Sequence, residues 1–312
     1  MYDRAHLTWI FLPILPFALG FTVLELLSDG TTDLLTRMLE TDSFFPGNLD
    51  LRFYNGLIIY SAVGLFHISS CFAVICLMIS KIWELSPKAR SQSLLVLGVS
   101  VLMLVLVNAL ARHEDFLGAL NLTYRSTCAV LVKAGVAPHV LPEGCSDPGL
   151  SILAWFAVLP YLFGLLAAAS ASAVVSTGQS IKNLEAHLGL VDLTFQTTAF
   201  VLVTSTITLM LFYHLPLAVV ADGTARELIR GFAQGMALFW GIVFTLTLLF
   251  IFGPSNFMLR RALEDEPVIK EDLRGRIERR STRYQVTRIL TILAPLLVGS
   301  SASILEMITQ AL

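Results

Sequence analysis

Long apolar stretches recur along the chain, and polar residues gather between them. A helix needs roughly 20 mostly apolar residues to cross about 30 Å of hydrocarbon. Seven stretches meet that criterion, at residues 8–27, 54–80, 93–111, 152–176, 196–220, 231–253 and 289–311. The pattern predicts an all-α fold: a polytopic integral membrane helix bundle of about seven transmembrane helices, built as one membrane domain over residues 1–312.

The composition agrees with a membrane environment. The chain is 55% hydrophobic and 14% charged, with a mean hydropathy of +0.75, whereas charged residues make up about 25% of an ordinary soluble domain. An ordinary soluble enzyme is therefore excluded. Because the net charge is −2, no nucleic-acid partner is expected, and the first partner is the lipid bilayer.

The basic residues predict the orientation of the bundle. With the N-terminus inside, the inner segments hold 14 of the 21 Lys and Arg residues. These segments are residues 1–7, 81–92, 177–195 and 254–288. Cytoplasmic connections carry the excess of Lys and Arg, so we expect a multi-pass protein of the plasma (bacterial inner) membrane with its N-terminus cytoplasmic and its C-terminus outside. The first stretch has no small-residue cleavage site behind it, and we expect it to be retained.

The cysteines fall into two pairs. Cys128 and Cys145 lie in the outer loop 112–151, where an oxidising compartment permits a disulfide. We predict that bridge, with two unpaired thiols as the alternative. Cys71 and Cys76 lie in the second apolar stretch and are expected to be buried small apolar residues.

Ionisable residues at membrane depth are the strongest functional signal, because a charge in hydrocarbon is costly. His67 lies at the middle of the second stretch, and the others lie on the outer side: Glu25, His113, Glu114, Asp115, His214 and Glu306. Together they predict an outer-facing polar path with one histidine beneath it, suited to a cation or a proton. The alternatives are carboxylates that snorkel to the interface and a neutral His67 hydrogen-bonded to a neighbouring helix.

The fifth stretch carries hydroxyls on one face, at Thr194, Thr198, Ser205 and Thr208. Such a stripe either lines a polar path or bonds back to the carbonyls of its own helix. Small residues at Gly231-x-x-x-Gly235 and at residues 299–303 predict close helix contacts.

The inner segment 254–288 is rich in mixed charges. Ile269, Leu273, Ile277 and Tyr284 recur there at helical spacing. The segment is either a solvated helix with basic anchors, attracted to anionic lipid, or a docking surface for a cytoplasmic protein or a second copy of the chain.

Sequence motifs give little support to an enzyme, because the phosphate-binding, zinc-protease and nucleophile-elbow patterns are all missing. No metal and no cofactor is expected; haem held by His67 and His214 would need two residues that differ in height by roughly 10 Å. The leading hypothesis is a channel- or transporter-like protein for a small cation or proton. The alternative is a membrane-embedded sensor or assembly subunit that binds a cytoplasmic partner through residues 254–288.

Overall fold

The computed structural model describes four helices and scattered helical positions in two further stretches. The continuous parts are residues 51–84, 181–218, 224–264 and 289–300, and the scattered positions lie within 15–26 and 87–102. Every regular element in these described residues is helical, so the all-α prediction is confirmed for them. The helices are α1 (Leu51–Trp83), α2 (Ile181–His214), α3 (Thr224–Glu264) and α4 (Ile289–Ser300).

Three described helices are long and apolar enough to cross a membrane. Their apolar parts are Ile58–Trp83, Leu190–Leu217 and Arg226–Phe250. These match the second, fifth and sixth predicted spans. The described part of α4 is a shorter apolar helix at the start of the seventh. The other predicted spans lie largely outside the described residues.

The α1 helix has one buried and one exposed face. Buried residues recur every three or four positions, as expected for one side of a helix: Cys71, Val74, Met78 and Ile82, which pack with Val201 of α2. Large apolar residues cover the opposite side and are exposed, among them Leu65, Phe72 and Ile79. Helices that face lipid carry such exposed apolar side chains, because lipid tails are as apolar as leucine.

The end of α1 is held by basic residues. Lys81 makes a 2.8 Å ion pair with Glu84. The Arg90 guanidinium lies 4.9 Å from the centre of the Trp83 ring and donates a hydrogen bond to the Trp83 carbonyl. These contacts satisfy one of the carbonyls that every helix C-terminus leaves without an internal donor, and they place positive charge where the helix dipole favours it.

Among the described helices, α2 packs against both α1 and α3. In its apolar part 67% of the residues are buried, against 28% in α1 and 50% in α3. It ends in a short 3-10 helix, Leu215–Ala218. Pro216 explains the change, because proline has no N–H to donate to the carbonyl four residues earlier.

Consecutive packing partners run antiparallel. Along the α1–α2 interface, His67 contacts Thr204 and Met78 contacts Thr194, so numbers rise on one helix as they fall on the other. Between α2 and α3, the rings of Phe195 and Phe252 meet edge to face with centres 4.2 Å apart, and those of Tyr213 and Phe232 with centres 5.8 Å apart. Residue numbers again rise on one helix as they fall on the other. The antiparallel register of α1 and α2 places the middle of α1 against the middle of the apolar part of α2.

Helices α3 and α4 approach each other closely at two glycines. A Cβ added to Gly241 would stand 2.7 Å from the Pro295 carbonyl oxygen, and one added to Gly299 would stand 2.5 Å from the Ala237 carbonyl oxygen. The small-residue prediction for the seventh span is therefore confirmed at Gly299.

The other small-residue prediction is wrong for the described part of the chain. Gly231 and Gly235 are exposed, and an added Cβ at either would meet no atom within 4 Å among the described residues. Both glycines point away from the other described helices. A glycine pair allows close contact but does not decide which side of its helix meets a neighbour.

Two helices extend beyond their predicted spans. The α2 helix begins at Ile181, although its apolar stretch begins near residue 196. The α3 helix continues through Pro254 to Glu264, so residues 254–264 of the inner segment are helical. Hydropathy marks the thickness of the hydrocarbon, whereas a helix ends where its hydrogen bonding ends.

Candidate functional site: a buried histidine between two helices

His67 lies at the centre of the α1–α2 interface. Its side chain is 1% exposed, and it shares the buried face of α1 with Cys71 and Met78, one and three turns further along. The position follows from the sequence, since these residues recur at helical spacing within an otherwise apolar stretch. A polar ring is thereby held inside an apolar contact, where it needs a hydrogen-bond partner.

Thr204 of α2 supplies that partner. The Nδ1 atom of His67 lies 2.7 Å from the Thr204 hydroxyl, and this hydroxyl in turn donates to the Val201 carbonyl at 2.9 Å. A hydroxyl has one proton to donate, and Thr204 donates it in the hydrogen bond to the Val201 carbonyl. The hydroxyl therefore accepts the bond from His67, which assigns a ring proton to Nδ1.

Cys71 stands beside the ring, one turn along α1. Its Sγ atom lies 3.7 Å from Nε2 and 3.9 Å from Nδ1 of His67. Cys71 is fully buried and its thiol is free, so its predicted burial is confirmed. Cys76 is exposed, contrary to prediction, because five residues turn a helix by about 140° from the buried face.

The threonines of α2 bond to their own helix. Thr194 donates to Leu190 at 2.7 Å and Thr206 to Leu202 at 2.8 Å. Thr208 donates to the Thr204 carbonyl at 2.9 Å. Of the two interpretations of the hydroxyl stripe, back-bonding is the one observed at its members Thr194 and Thr208.

His214 is separate from His67. It is the last residue of α2, it is half-buried, and its Nδ1 atom bonds the Met210 carbonyl at 2.7 Å. Since His67 lies opposite Thr204, ten helical residues separate the two positions, or about 15 Å along the axis. The structure does not bring the two histidines together, and a haem held by both does not fit.

The remaining predicted site residues lie outside the described residues. They are Glu25, His113, Glu114, Asp115 and Glu306 of the polar path, the cysteines Cys128 and Cys145, and the helical stripe Ile269, Leu273, Ile277 and Tyr284. Their roles stay predictions. Among the described residues, no three His, Cys, Asp or Glu side chains lie close enough to hold a metal ion together.

Sequence reasoning missed two features around His67 and a third further along α2. Thr204 is not among the four hydroxyls of the predicted stripe, and Cys71 was expected only to pack as a buried small apolar residue. The third is Asp192, which is half-buried within the apolar part of α2 although it lies before the predicted span. The spacing of His67, Cys71 and Met78 was a usable signal, because it places imidazole, thiol and thioether on one helix face.

Comparison with known proteins adds no further assignment: no protein-family model, curated protein or solved structure matches the chain. The class of protein therefore has to be stated from the described residues themselves. They form an all-helical assembly in which three helices are long and apolar enough to cross a membrane, with a buried histidine where two of them meet.

Proposed function

We propose that this chain is a membrane transport protein that moves a proton or a small cation, with His67 as the group that binds it. The observation that carries the proposal is the burial of His67 in the middle of an apolar interface, fixed by Thr204 of the neighbouring helix. An ionisable side chain at membrane depth is expensive and marks a functional site by default. Histidine also gains and loses its proton in the physiological range.

The hydrogen bonding suits a group that changes protonation state. The Thr204 hydroxyl donates its hydrogen bond to the Val201 carbonyl. It therefore accepts a hydrogen bond from Nδ1 of His67 whether the ring is neutral or charged. Proton exchange then takes place at Nε2 while the ring stays in position. Threonine hydroxyls of α2 bond to carbonyls of their own helix and do not line an open path. This favours stepwise transfer through a binding site, as in a transporter, over an open water-filled channel.

For the whole chain we propose seven spans in a bacterial inner membrane, with the N-terminus cytoplasmic and the C-terminus outside. The outer acidic residues Glu25 and Glu306 would line the entrance, and Cys128 would bridge to Cys145. A membrane-impermeant thiol reagent tests this arrangement. In intact cells a cysteine placed at 275 should stay unlabelled, and native Cys128 should react only after reduction. Rapid labelling at either position contradicts the corresponding proposal.

Flux through the purified protein in liposomes tests the transport function. We expect proton or cation flux above that of empty vesicles, and a loss of most of it in His67→Gln. The matched control is Ser70→Ala on the same helix, since the Ser70 hydroxyl bonds only the Phe66 carbonyl of its own helix, at 2.7 Å. Absence of flux under every applied gradient, or equal flux in His67→Gln and Ser70→Ala, contradicts the proposal.

A second candidate, a sensor or assembly subunit, is favoured by the uninterrupted extension of α3 to Glu264. A rigid helix that leaves the apolar part and enters the charged segment can present residues 254–288 to a cytoplasmic partner. A photocrosslinker at residue 277 in native membranes distinguishes the two candidates. A protein adduct supports the partner-binding function, whereas lipid adducts alone contradict it.

A further inference from the structure

We propose that aromatic residues of α1, α2 and α3 form a gate that closes one side of the path to His67. This aromatic gate consists of Tyr60, Phe212, Tyr213 and Phe232. The inference rests on the proposed function, because it names the place where a transported proton or cation would enter. The closed state of the gate is measurable without any flux, from the access of a reagent to the buried site.

The rings of the aromatic gate follow one another across three helices. The centre of the Tyr60 ring on α1 lies 6.1 Å from that of Phe212 on α2. The Phe212 ring lies 5.4 Å from that of its neighbour Tyr213, which meets Phe232 of α3 edge to face at 5.8 Å. Phe212 and Tyr213 are buried, so these contacts fill the interfaces of α2 with both neighbouring helices at one level.

The aromatic gate lies about two helical turns from the contact between His67 and Thr204. Tyr60 precedes His67 by seven residues and Phe212 follows Thr204 by eight, which correspond to about 10 Å and 12 Å along the helix axes. Seven residues return a helix to nearly the same face, so Tyr60 is aligned with His67 along the interface with α2. A particle that moves along this interface from the Leu51 end of α1 has to pass the rings before it reaches the imidazole.

Space is left at Gly64, between the aromatic gate and His67. Gly64 is buried and lies one turn from His67 on the same face of α1. A Cβ added to it would nevertheless meet no atom within 4 Å among the described residues. Close-packed interiors leave few such gaps. A gap directly behind the aromatic rings is what the entrance to a binding site requires.

The opposite side of His67 is packed more tightly, which identifies the side that opens. Toward Trp83, α1 buries four residues at helical spacing: Cys71, Val74, Met78 and Ile82. Toward Leu51, only Gly64 is buried among the described side chains of residues 55–66. We therefore assign the opening movement to the aromatic gate, which faces outward in the proposed orientation.

The test is the access of a charged, membrane-impermeant methanethiosulfonate to Cys71, which is fully buried beside His67. In a full-length chain whose other three cysteines are serine, the rate of modification is measured from the outside in intact cells and from the inside in inverted vesicles. We expect a slow reaction from both sides. Phe212→Ala should accelerate the reaction from the outside about tenfold or more, because the truncated side chain leaves a gap in the layer. Tyr60→Ala, which truncates the half-buried partner ring on α1, should act in the same direction.

Two control variants separate a gate from a general loosening of the helices. Phe195→Ala removes another buried ring of α2, which lies on the other side of Thr204 and contacts Phe252 at 4.2 Å. This variant should leave the reaction from the outside slow. Gly64→Leu, introduced into the Phe212→Ala chain, places a side chain in the gap and should slow the reaction again. Gel filtration and thermal unfolding establish that each variant is folded.

The outcomes distinguish the aromatic gate from the proposed function. Equal rates in the parent chain and in the folded Phe212→Ala and Tyr60→Ala variants overturn the gate. An acceleration of the same size in Phe195→Ala, or one confined to the inner side, also overturns it. Flux that depends on His67, with a Cys71 reaction that no gate variant accelerates, overturns the gate but supports the proposed function. Conversely, a gate-dependent reaction in a protein that moves no proton or cation supports the gate and contradicts the transport function.

Discussion

Nδ1 of His67 lies 2.7 Å from the hydroxyl of Thr204, a residue 137 positions further along the chain. This contact joins the middle of α1 to the middle of the apolar part of α2. The Thr204 hydroxyl donates to the Val201 carbonyl of its own helix, so α2 alone fixes the orientation of this hydroxyl. The position of His67 is thus set jointly by α1 and α2. Any movement between these helices changes the surroundings of the buried imidazole.

Replacing Thr204 by valine should destabilise the fold. The Nδ1–H group of His67 would stay buried without this acceptor, and such a loss costs about 1–3 kcal/mol in soluble proteins and about 0.6–1.7 kcal/mol between membrane helices. We expect the free energy of unfolding in mixed micelles to fall by about 1–2 kcal/mol. Thr204→Ser, which keeps the hydroxyl, should behave like the wild type.

Thr206→Val is the matched control for this change. Thr206 is equally buried, but its hydroxyl bonds only the Leu202 carbonyl of its own helix. Its loss leaves no donor unsatisfied, and we expect a change below about 0.5 kcal/mol. Equal destabilisation by Thr204→Val and Thr206→Val would show that the bond to His67 contributes nothing specific.

The sequence predicted much of the helical layout because the hydrocarbon thickness imposes a minimum apolar length. That constraint located the apolar parts of α1, α2 and α3. It did not reveal that α2 begins at Ile181 or that α3 continues to Glu264, since helix outside the hydrocarbon has no such requirement.

The candidate site was predictable only in part. His67 stood out because a histidine amid apolar residues is costly. Its pairing with Thr204 was not predictable, because it depends on the register between distant helices, and shifting that register by one residue rotates a different side chain into contact. The same reason explains why the close glycine contact lies at Gly241 and Gly299 and not at Gly231 and Gly235.

The glycine contact between α3 and α4 should tolerate no side chain. In Gly241→Ala the added Cβ would stand 2.7 Å from the Pro295 carbonyl oxygen, so the helices must separate. Overpacking of this kind costs about 1–3 kcal/mol, and we expect a clear fall in the thermal midpoint of the detergent-solubilised protein.

Gly235→Ala on the same helix provides the comparison. Gly235 is exposed, and alanine favours a helix by up to about 1 kcal/mol relative to glycine. The thermal midpoint should therefore stay unchanged or rise. If Gly241→Ala is as stable as Gly235→Ala, the close approach of α3 and α4 is contradicted.

The aromatic pair Phe195–Phe252 should couple α2 to α3. Both rings are buried and lie edge to face, with centres 4.2 Å apart. Such pairs contribute about 0.5–1.5 kcal/mol beyond their buried area. A double-mutant cycle with leucine at both positions should measure a coupling energy in that range.

The pair Phe66–Phe200 is the control for this cycle, since both rings are exposed and their centres are 6.1 Å apart. Its coupling energy should be smaller than that of Phe195–Phe252. The reverse order would contradict the assignment of Phe195 and Phe252 to a buried interface.

The antiparallel register of α1 and α2 can be tested by crosslinking in native membranes. The Met78 sulfur lies 3.5 Å from the Thr194 hydroxyl, so cysteines at these two positions face each other. In a chain whose four native cysteines are serine, a short thiol-specific crosslinker should join residues 78 and 194 rapidly. An engineered protease site within residues 103–180 detects the link, because linked fragments stay together on a gel.

The control pair places one cysteine at residue 79 and the other at 194. Ile79 is exposed, and it points about 100° away from Met78 around the helix, so its link should form much more slowly. A third pair at residues 60 and 212 tests the opposite end of the interface, where the rings of Tyr60 and Phe212 have centres 6.1 Å apart. Rapid links at 78–194 and at 60–212 require the antiparallel register that places His67 beside Thr204. A link at 79–194 as rapid as that at 78–194 would contradict this register, and with it the buried environment assigned to His67.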